Sequence, residues 1–219
     1  MRAAKPSLPI EQVSAPVSLE TPMRRVVLAS LLALALPFGA LAQVVDVSGA
    51  KFQATEEVGG QKLVLNGYGI RYRAVFKVYA AALYLNQKAT TPEAVFANTA
   101  PKRVELFMLR DVDGKDLGKA FTNGMEKNML PAERMKSING IFKFGEIFNE
   151  RKKLAAGDRV GVDWVPGVGA QVSVNGKAAG EIIKEVEFYN SVLRIWLGAE
   201  PADATLKKEL LGEVKTTRR

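Results

Sequence analysis

Residues 69–85 restrict the possible folds of this 219-residue chain more than any other segment. Their side chains are mostly aromatic, aliphatic and β-branched, and few polar residues interrupt them. Such an uninterrupted apolar run is typical of a strand that is buried on both faces of a sheet. We therefore expect a long central strand here, or two strands with a bend, buried for much of its length.

The rest of the chain shows strand patterns and helix patterns in separate blocks. Thr91 and Pro92 form a typical helix start, and Asn175-Gly176 is a typical β-hairpin turn. Because strands and helices do not alternate in βαβ units, we expect one α+β domain whose largely antiparallel sheet is covered on one face by helices. The strands are expected at residues 44–48, 51–55, 62–67, 103–109, 159–164 and 170–174, and the helices at residues 91–99, 115–130, 131–151, 185–197 and 204–211.

The first 42 residues have the pattern of an export signal. Arg24-Arg25 precede the apolar run 26–36, which is followed by the small-residue site Ala40-Leu41-Ala42. A basic region, a short apolar region and a small-residue site in this order are typical of a cleaved signal peptide, and the run is shorter than the ~20 residues of a membrane span. An uncleaved anchor is the alternative. We expect residues 1–22 to be a disordered leader or an incorrectly included segment before a start at Met23, residues 23–42 a signal peptide, and residues 43–219 an exported, periplasmic domain.

Two residue types are missing, since the chain contains no cysteine and no histidine. Their absence excludes disulfides, thiol nucleophiles, thiolate or imidazole metal sites and Ser-His-Asp catalysis. A metal held only by oxygen ligands is the alternative left open, but because the sequence also has no calcium-loop or phosphate-loop pattern, we expect no metal and no cofactor. Residues 1–42 hold four basic and two acidic residues, so their removal lowers the net charge from +8 to +6. The remaining basic residues are spread along the chain, and we therefore expect no nucleic-acid binding.

Several segments resemble those of a known family. Residues 77–85, Lys-Val-Tyr-Ala-Ala-Ala-Leu-Tyr-Leu, resemble a strand of the chalcone isomerases, and Gly69-Ile70-Arg71 resembles the G-x-R turn of that family. The C-terminal segments that resemble its bacterial exported branch are Asn175-Gly176-Lys177, Phe188, Ile195-Trp196-Leu197-Gly198, Pro201, Leu206 and Leu210-Leu211-Gly212. The resemblance runs from about residue 47 to residue 212 and implies the chalcone isomerase fold, which fatty-acid-binding proteins share.

The isomerases of this family close a phenolic chalcone into a flavanone with one arginine and four polar side chains. The resemblance places the arginine at Arg71 and a strand threonine at Tyr79. The helix tyrosine and asparagine fall near Leu117 and Gly124, and the C-terminal threonine falls on Ile195. Because most of these polar groups are gone, the chain looks unlike a competent chalcone isomerase. An arginine with a tyrosine resembles instead the pair that holds a carboxylate in the non-catalytic plastid fatty-acid-binding members.

Arg71 and Tyr79 are therefore our candidate ligand-binding residues, and we assign no catalytic residue. A guanidinium holds a carboxylate through two parallel hydrogen bonds, and a phenol adds a directional donor beside it. The aliphatic and aromatic neighbours of both residues suit an acyl or aryl tail. The alternative interpretation is a surface arginine at a turn and a core tyrosine with no ligand.

Three functions agree with these observations. The first is binding of a small amphipathic anion, such as a fatty acid, by an exported non-catalytic domain. The second is an isomerase or intramolecular lyase acting on a chalcone-like phenolic or enone substrate, in which Arg71 steers the substrate and Tyr79 donates a proton or holds a water. The third is an envelope adaptor. A deep apolar pocket with Arg71 at its base favours binding, and a pocket with several polar groups around a water site favours chemistry. A filled core at that place favours the adaptor.

Two groups of charged residues are weaker candidates. Asp111, Asp113 and Asp116 could form a carboxylate cluster with Glu126, but the three aspartates surround a glycine turn at a helix start. Acids are favoured there by the helix dipole, without any acid–base or metal chemistry. Lys102-Arg103 and Arg110 can add positive potential at the mouth of a cleft, but ordinary charges at the ends of strands explain them as well.

Overall fold

The structure is a computed structural model that describes residues 43–213. The leader expected at residues 1–22 and the signal peptide expected at residues 23–42 lie outside the described residues. In the described part of the chain, every helix is too short or too polar to cross a membrane.

The described residues form one seven-stranded sheet and two small two-stranded pairs. The strands are β1 (Val44–Val47), β2 (Ala50–Gln53), β3 (Thr55–Val58), β4 (Gln61–Arg73), β5 (Phe76–Leu85), β6 (Lys102–Met108), β7 (Val112–Asp113), β8 (Lys153–Leu154), β9 (Arg159–Val165), β10 (Gly169–Val174) and β11 (Lys177–Ile183). The large sheet has the order β11-β10-β9-β6-β5-β4-β3, and all of its neighbouring strands are antiparallel. The small pairs are β1 with β2 and β7 with β8.

Five helices complete the described part of the fold, close to the predicted positions. They are α1 (Pro92–Ala97), α2 (Gly114–Asn128), α3 (Pro131–Asn149), α4 (Val186–Leu197) and α5 (Ala204–Leu210). Three of them begin at a side-chain cap, because Thr91, Asp113 and Asp203 accept hydrogen bonds from backbone N–H groups of the first turn. Together with the antiparallel sheet, these helices confirm the predicted α+β class.

Strand β5 lies between two hydrophobic cores, one on each face of the sheet. Its residues Tyr79, Ala81, Leu83 and Leu85 belong to the core that packs against the helices. The alternate residues Ala80, Ala82 and Tyr84 pack on the opposite face, in a second core that contains Phe52 of the β1–β2 hairpin. Because successive side chains of a strand point to opposite faces, burial on both faces requires the continuous apolar run seen in the sequence.

The helical side of the core is rich in aromatic rings. Rings of α2, α3 and α4 lie 5.1 to 6.0 Å apart, centroid to centroid, in tilted or edge-to-face pairs. The residues of this cluster are Phe121, Phe144, Phe148, Phe188 and Trp196. Such pairs add about 0.5–1.5 kcal/mol each beyond the burial of their surface, so they hold α2 and α4 firmly in place beside the end of β5.

The prediction of one long strand over residues 69–85 is wrong, and the alternative of two strands is closer to the structure. Strands β4 and β5 form an antiparallel hairpin, with Arg73 paired to Phe76 across the two-residue turn Ala74-Val75. Ala74 has a φ of +52°. The turn contains no glycine or asparagine, the residues that usually adopt a positive φ in hairpins, so the sequence carries no turn signal there.

The predicted end of the strand at residue 67 is also wrong, since Asn66 and Gly67 lie inside β4 at an irregularity in its pairing with β5. The buried Asn66 amide donates to the carbonyls of Ala89 and Leu210 at 2.9 and 2.8 Å. A Cβ at Gly67 would lie 2.2 Å from the carbonyl oxygen of Glu209. This pair therefore anchors the C-terminal helix against the sheet. The short strands β3, β7 and β8 were not expected either, because two to four residues show no clear alternation.

Candidate functional site

The β4–β5 hairpin brings the two candidate ligand-binding residues together. Arg71 and Tyr79 are directly paired across the strands. Residues in such a pair have side chains on the same face of the sheet, with Cβ atoms about 5 Å apart. That face is the one covered by the helices, because Tyr79 belongs to the helical core. Tyr79 is buried, whereas Arg71 is half-buried at the edge of the same region.

The Tyr79 hydroxyl is held by a buried partner. The indole N–H of Trp196, on α4, donates to it at 2.9 Å. Burial raises the pKa of Tyr79 to about 12, although the Trp196 hydrogen bond and the nearby positive charge of Arg71 both act to lower it. The phenol therefore keeps its proton at neutral pH. Since its oxygen accepts from Trp196, its own O–H can be donated to a ligand.

A cavity of about 380 Å³ lies beside this pair. It has the size of a small-molecule pocket, for which the usual range is roughly 300–1,000 Å³. Its buried wall is apolar and includes Leu117, Phe121 and Ile195, while exposed polar residues stand at its edge. The remaining lining residues are Arg71, Arg73, Val78, Tyr79, Val112, Asp116, Ala120, Asn123, Gly124, Lys127, Glu200, Pro201 and Ala202. A filled core, the arrangement expected for an adaptor, is therefore not what the structure has at Arg71.

All five positions that the resemblance singled out line this one cavity. Arg71 and Tyr79 come from the hairpin, Leu117 and Gly124 from α2, and Ile195 from α4. Leu117 and Gly124 lie on the same face of α2 because seven residues make about two helical turns. Three of these positions correspond to further polar groups of the isomerases. Here they hold the apolar side chains of Leu117 and Ile195 and the glycine Gly124.

Three residues of the site were not predicted. Lys127 and Arg73 line the cavity and add positive charge at its edge, and Trp196 orients Tyr79 from behind it. Lys127 was predictable, since it lies three residues after Gly124 and so belongs to the same face of α2. The role of Trp196 was not, because its apolar surroundings identified it only as a core residue. Asp116 and Glu200 also line the cavity, so the edge carries charges of both signs.

The acidic cluster does not form a chemical site. Asp113 caps α2, and Asp111 forms an ion pair with Lys153 at 2.6 Å. Only Asp116 of the three lines the cavity. Within residues 43–213, no three carboxylates come together as metal ligands.

The basic pair Lys102-Arg103 does not line the cavity and lies at the start of β6, which agrees with the alternative of strand-end charges. Lys102 is only 1% exposed, and Arg103 makes ion pairs with Asp163 and Glu56. Arg110 does not line the cavity either. The positive charge near the pocket therefore comes from Arg71, Arg73 and Lys127.

Comparisons with known proteins agree with this architecture. The family model described as chalcone isomerase-like matches residues 44–212. No curated protein sequence matches the chain significantly. Among solved structures, the fatty-acid binding protein AtFAP1 of Arabidopsis thaliana is similar with a TM-score of 0.58 and 16% sequence identity. The superposition covers 77% of this chain and 96% of that protein. At this identity the likeness shows the shared fold alone.

Proposed function

The chain belongs to the chalcone isomerase-like family, and on this basis we propose that it binds a small amphipathic carboxylate, such as a fatty acid, without converting it chemically. The observation that carries the proposal is the Arg71–Tyr79 pair beside an apolar cavity. A charged donor and a neutral donor lie side by side there, and apolar walls adjoin them. This is the arrangement that an anionic head with a hydrocarbon tail requires.

The state of Tyr79 supports a binding role. A carboxylate needs donors, and Tyr79 remains a protonated donor at neutral pH because its pKa is raised to about 12. The Trp196 hydrogen bond fixes the position of the hydroxyl before the ligand arrives, which lowers the entropy lost on binding. The guanidinium of Arg71 is half-buried, so its attraction to a carboxylate is less screened than that of a fully exposed arginine.

The missing polar groups support binding over isomerisation. Leu117, Gly124 and Ile195 offer no hydrogen-bond donor or acceptor side chain in the cavity. A phenolic substrate with a bound water would find only Arg71 and Tyr79 of the expected set. The similar fold of a protein named as fatty-acid binding supports the same choice. We further propose that the domain acts after export to the periplasm, on the pattern of residues 23–42.

Ligand content tests the proposal directly. The protein is purified from its own host under native conditions, weighed intact by native mass spectrometry, and then extracted with organic solvent. We expect a stoichiometric fatty acid or similar carboxylate, which is lost in Arg71→Ala and kept in Arg134→Ala, a matched change at an exposed arginine of α3 outside the cavity.

Two results would contradict the proposal. One is a wild-type protein that carries no carboxylate and takes up none when fatty acids are added. The other is turnover of a chalcone to a flavanone by the wild-type protein, which would make the domain an isomerase.

A further inference from the structure

The tip of the β4–β5 hairpin exposes two apolar side chains. Val75 is 82% exposed and Phe76 is 58% exposed. The last residue pair between β5 and β6 joins Tyr79 to Met108, so the hairpin continues beyond its neighbouring strand. Ala74 holds a φ of +52°, which alanine seldom adopts. The chain thus keeps an unfavourable turn that presents two apolar side chains to the surroundings.

Basic residues flank the turn at this tip, while the acid Asp203 accepts a hydrogen bond from the Tyr72 N–H at 3.2 Å, next to Arg73. Arg73 and Lys77 flank the turn, and the Arg110 guanidinium lies 5.1 Å from the centre of the Phe76 ring. The sequence has no acidic residue between Glu57 and Glu93. The acid next to Arg110 along the chain, Asp111, is already paired with Lys153.

We propose that the hairpin tip docks on the surface of a bilayer that contains anionic phospholipids. Val75 and Phe76 insert at the level of the head groups, and Arg73, Lys77 and Arg110 contact lipid phosphates. Apolar side chains inside a basic rim match an anionic lipid surface in both hydrophobicity and charge. Each basic residue near such a surface strengthens binding by roughly fivefold.

The position of the tip connects docking to the cavity. Arg71, Arg73 and Val78, on either side of the turn, line the cavity. Docking therefore brings the cavity close to the lipid surface, where free fatty acids are found; this consequence rests on the proposed function, while the docking itself does not.

A second exposed apolar surface has a smaller excess of positive charge, since Arg134 is its one basic residue for which no ion pair is seen among residues 43–213. Met135, Ile138 and Phe142 on α3 are 60–89% exposed. The neighbouring lysines of α3 are neutralised, because Lys136 pairs with Glu187 and Lys143 with Glu181, both at 2.7 Å. This α3 surface is a matched control for the hairpin tip.

The test is co-sedimentation of the full chain with vesicles of 30% phosphatidylglycerol in phosphatidylcholine, and with pure phosphatidylcholine vesicles. All variants share the same N-terminus, so differences between them report on the substituted surface. We expect at least tenfold stronger binding to the anionic vesicles. We expect the double variant Val75→Ser/Phe76→Ser to lose about tenfold or more of that binding, and Ile138→Ser/Phe142→Ser to bind like the wild type.

Phe76→Trp provides a second readout that keeps the tip apolar. The two native tryptophans, Trp164 and Trp196, are buried, so the added indole reports on the tip. We expect its fluorescence to shift to the blue with anionic vesicles and to stay unchanged with pure phosphatidylcholine.

Three results would overturn the proposal. The wild type could bind both kinds of vesicle equally, the Val75→Ser/Phe76→Ser variant could bind anionic vesicles as well as the wild type, or the Ile138→Ser/Phe142→Ser variant could lose as much binding as the tip variant. The proposal is also overturned if the tip is covered by a second copy, seen as a wild-type dimer that becomes monomeric in the tip variant without any vesicle binding. Dodecanoate binding measured without vesicles separates the two proposals, because the tip variant should retain it.

Discussion

Replacing Tyr79 by phenylalanine tests what the Tyr79 hydroxyl contributes to stability and to ligand binding. Tyr79 and Trp196 are 3% and 2% exposed, and the 2.9 Å hydrogen bond between them is buried. Without the hydroxyl, the indole N–H of Trp196 loses its acceptor in a region that water does not reach. A buried donor left without a partner costs about 1–3 kcal/mol. We therefore expect Tyr79→Phe to lower the free energy of unfolding by that amount.

The same change removes one of the two donors proposed for the ligand. A hydrogen bond to a charged group contributes about 1.5–3 kcal/mol, so the dissociation constant for a carboxylate should rise roughly 10- to 150-fold. The two effects are separable because stability is measured without ligand, by urea unfolding with linear extrapolation. Affinity is measured by calorimetric titration with dodecanoate at a temperature where the variant is fully folded.

A double-mutant cycle assigns the stability loss to the hydrogen bond. In a Trp196→Phe background there is no indole N–H that could be left without an acceptor. Tyr79→Phe should therefore lower the free energy of unfolding by at least about 1 kcal/mol less than it does in the wild type. If the stability losses of the two single variants simply add, with a coupling below about 0.5 kcal/mol, the hydrogen bond between Tyr79 and Trp196 does not account for the loss. Unchanged dodecanoate affinity in Tyr79→Phe would refute the donor role while leaving the structural role intact.

Three further predictions concern other parts of the fold. Burial lowers the pKa of Lys102 from 10.5 to about 8; the unfolded chain therefore binds more protons between those pH values, and stability should rise with pH across that window. The difference in the free energy of unfolding between Lys102→Met and the wild type should therefore shrink by roughly 3 kcal/mol between pH 7 and pH 10.5, as measured by urea unfolding at each pH; a difference that does not change with pH would contradict this. Gly67→Ala should destabilise the fold by about 3 kcal/mol or more, because its Cβ would lie 2.2 Å from the Glu209 carbonyl oxygen. Gly145→Ala is the control and should not destabilise the fold, because its Cβ would lie 3.5 Å from the nearest atom. Equal melting temperatures of the two variants would refute the close contact at Gly67. Dodecanoate affinity should stay constant from pH 7 to 10, because the pKa of Tyr79 is raised to about 12; a decline centred near pH 10 in titrations would show an ordinary phenol instead.

The elements with local signals were predictable from the sequence. Helix α2 follows from the Asp113 cap, and the β10–β11 hairpin follows from Asn175-Gly176. The burial of β5 on both faces follows from its uninterrupted apolar composition. In each case the residues that determine the structure are neighbours along the chain, so a local pattern was sufficient.

The elements that depend on distant contacts were not predictable. The turn at Ala74-Val75 has no turn residues, and Asn66 hydrogen-bonds to Leu210, which lies 144 positions away. The same limit applies to the site. Arg71 and Tyr79 were predictable because a family resemblance pointed to them. The hydrogen bond between Trp196 and Tyr79 was not, because it joins residues 117 positions apart. No local pattern reports such a pair.

Recognition of a carboxylate by Arg71 in the cavity can be measured by comparing two ligands that differ only in the head group. Calorimetric titrations with dodecanoate and with dodecanol, which share a tail and differ in the head group, are run on the wild type, Arg71→Ala and Arg134→Ala. We predict that the wild type and Arg134→Ala bind dodecanoate at least tenfold more tightly than dodecanol, and that Arg71→Ala loses this preference. Equal affinity of the wild type for the acid and the alcohol, or an undiminished preference in Arg71→Ala, would contradict the account.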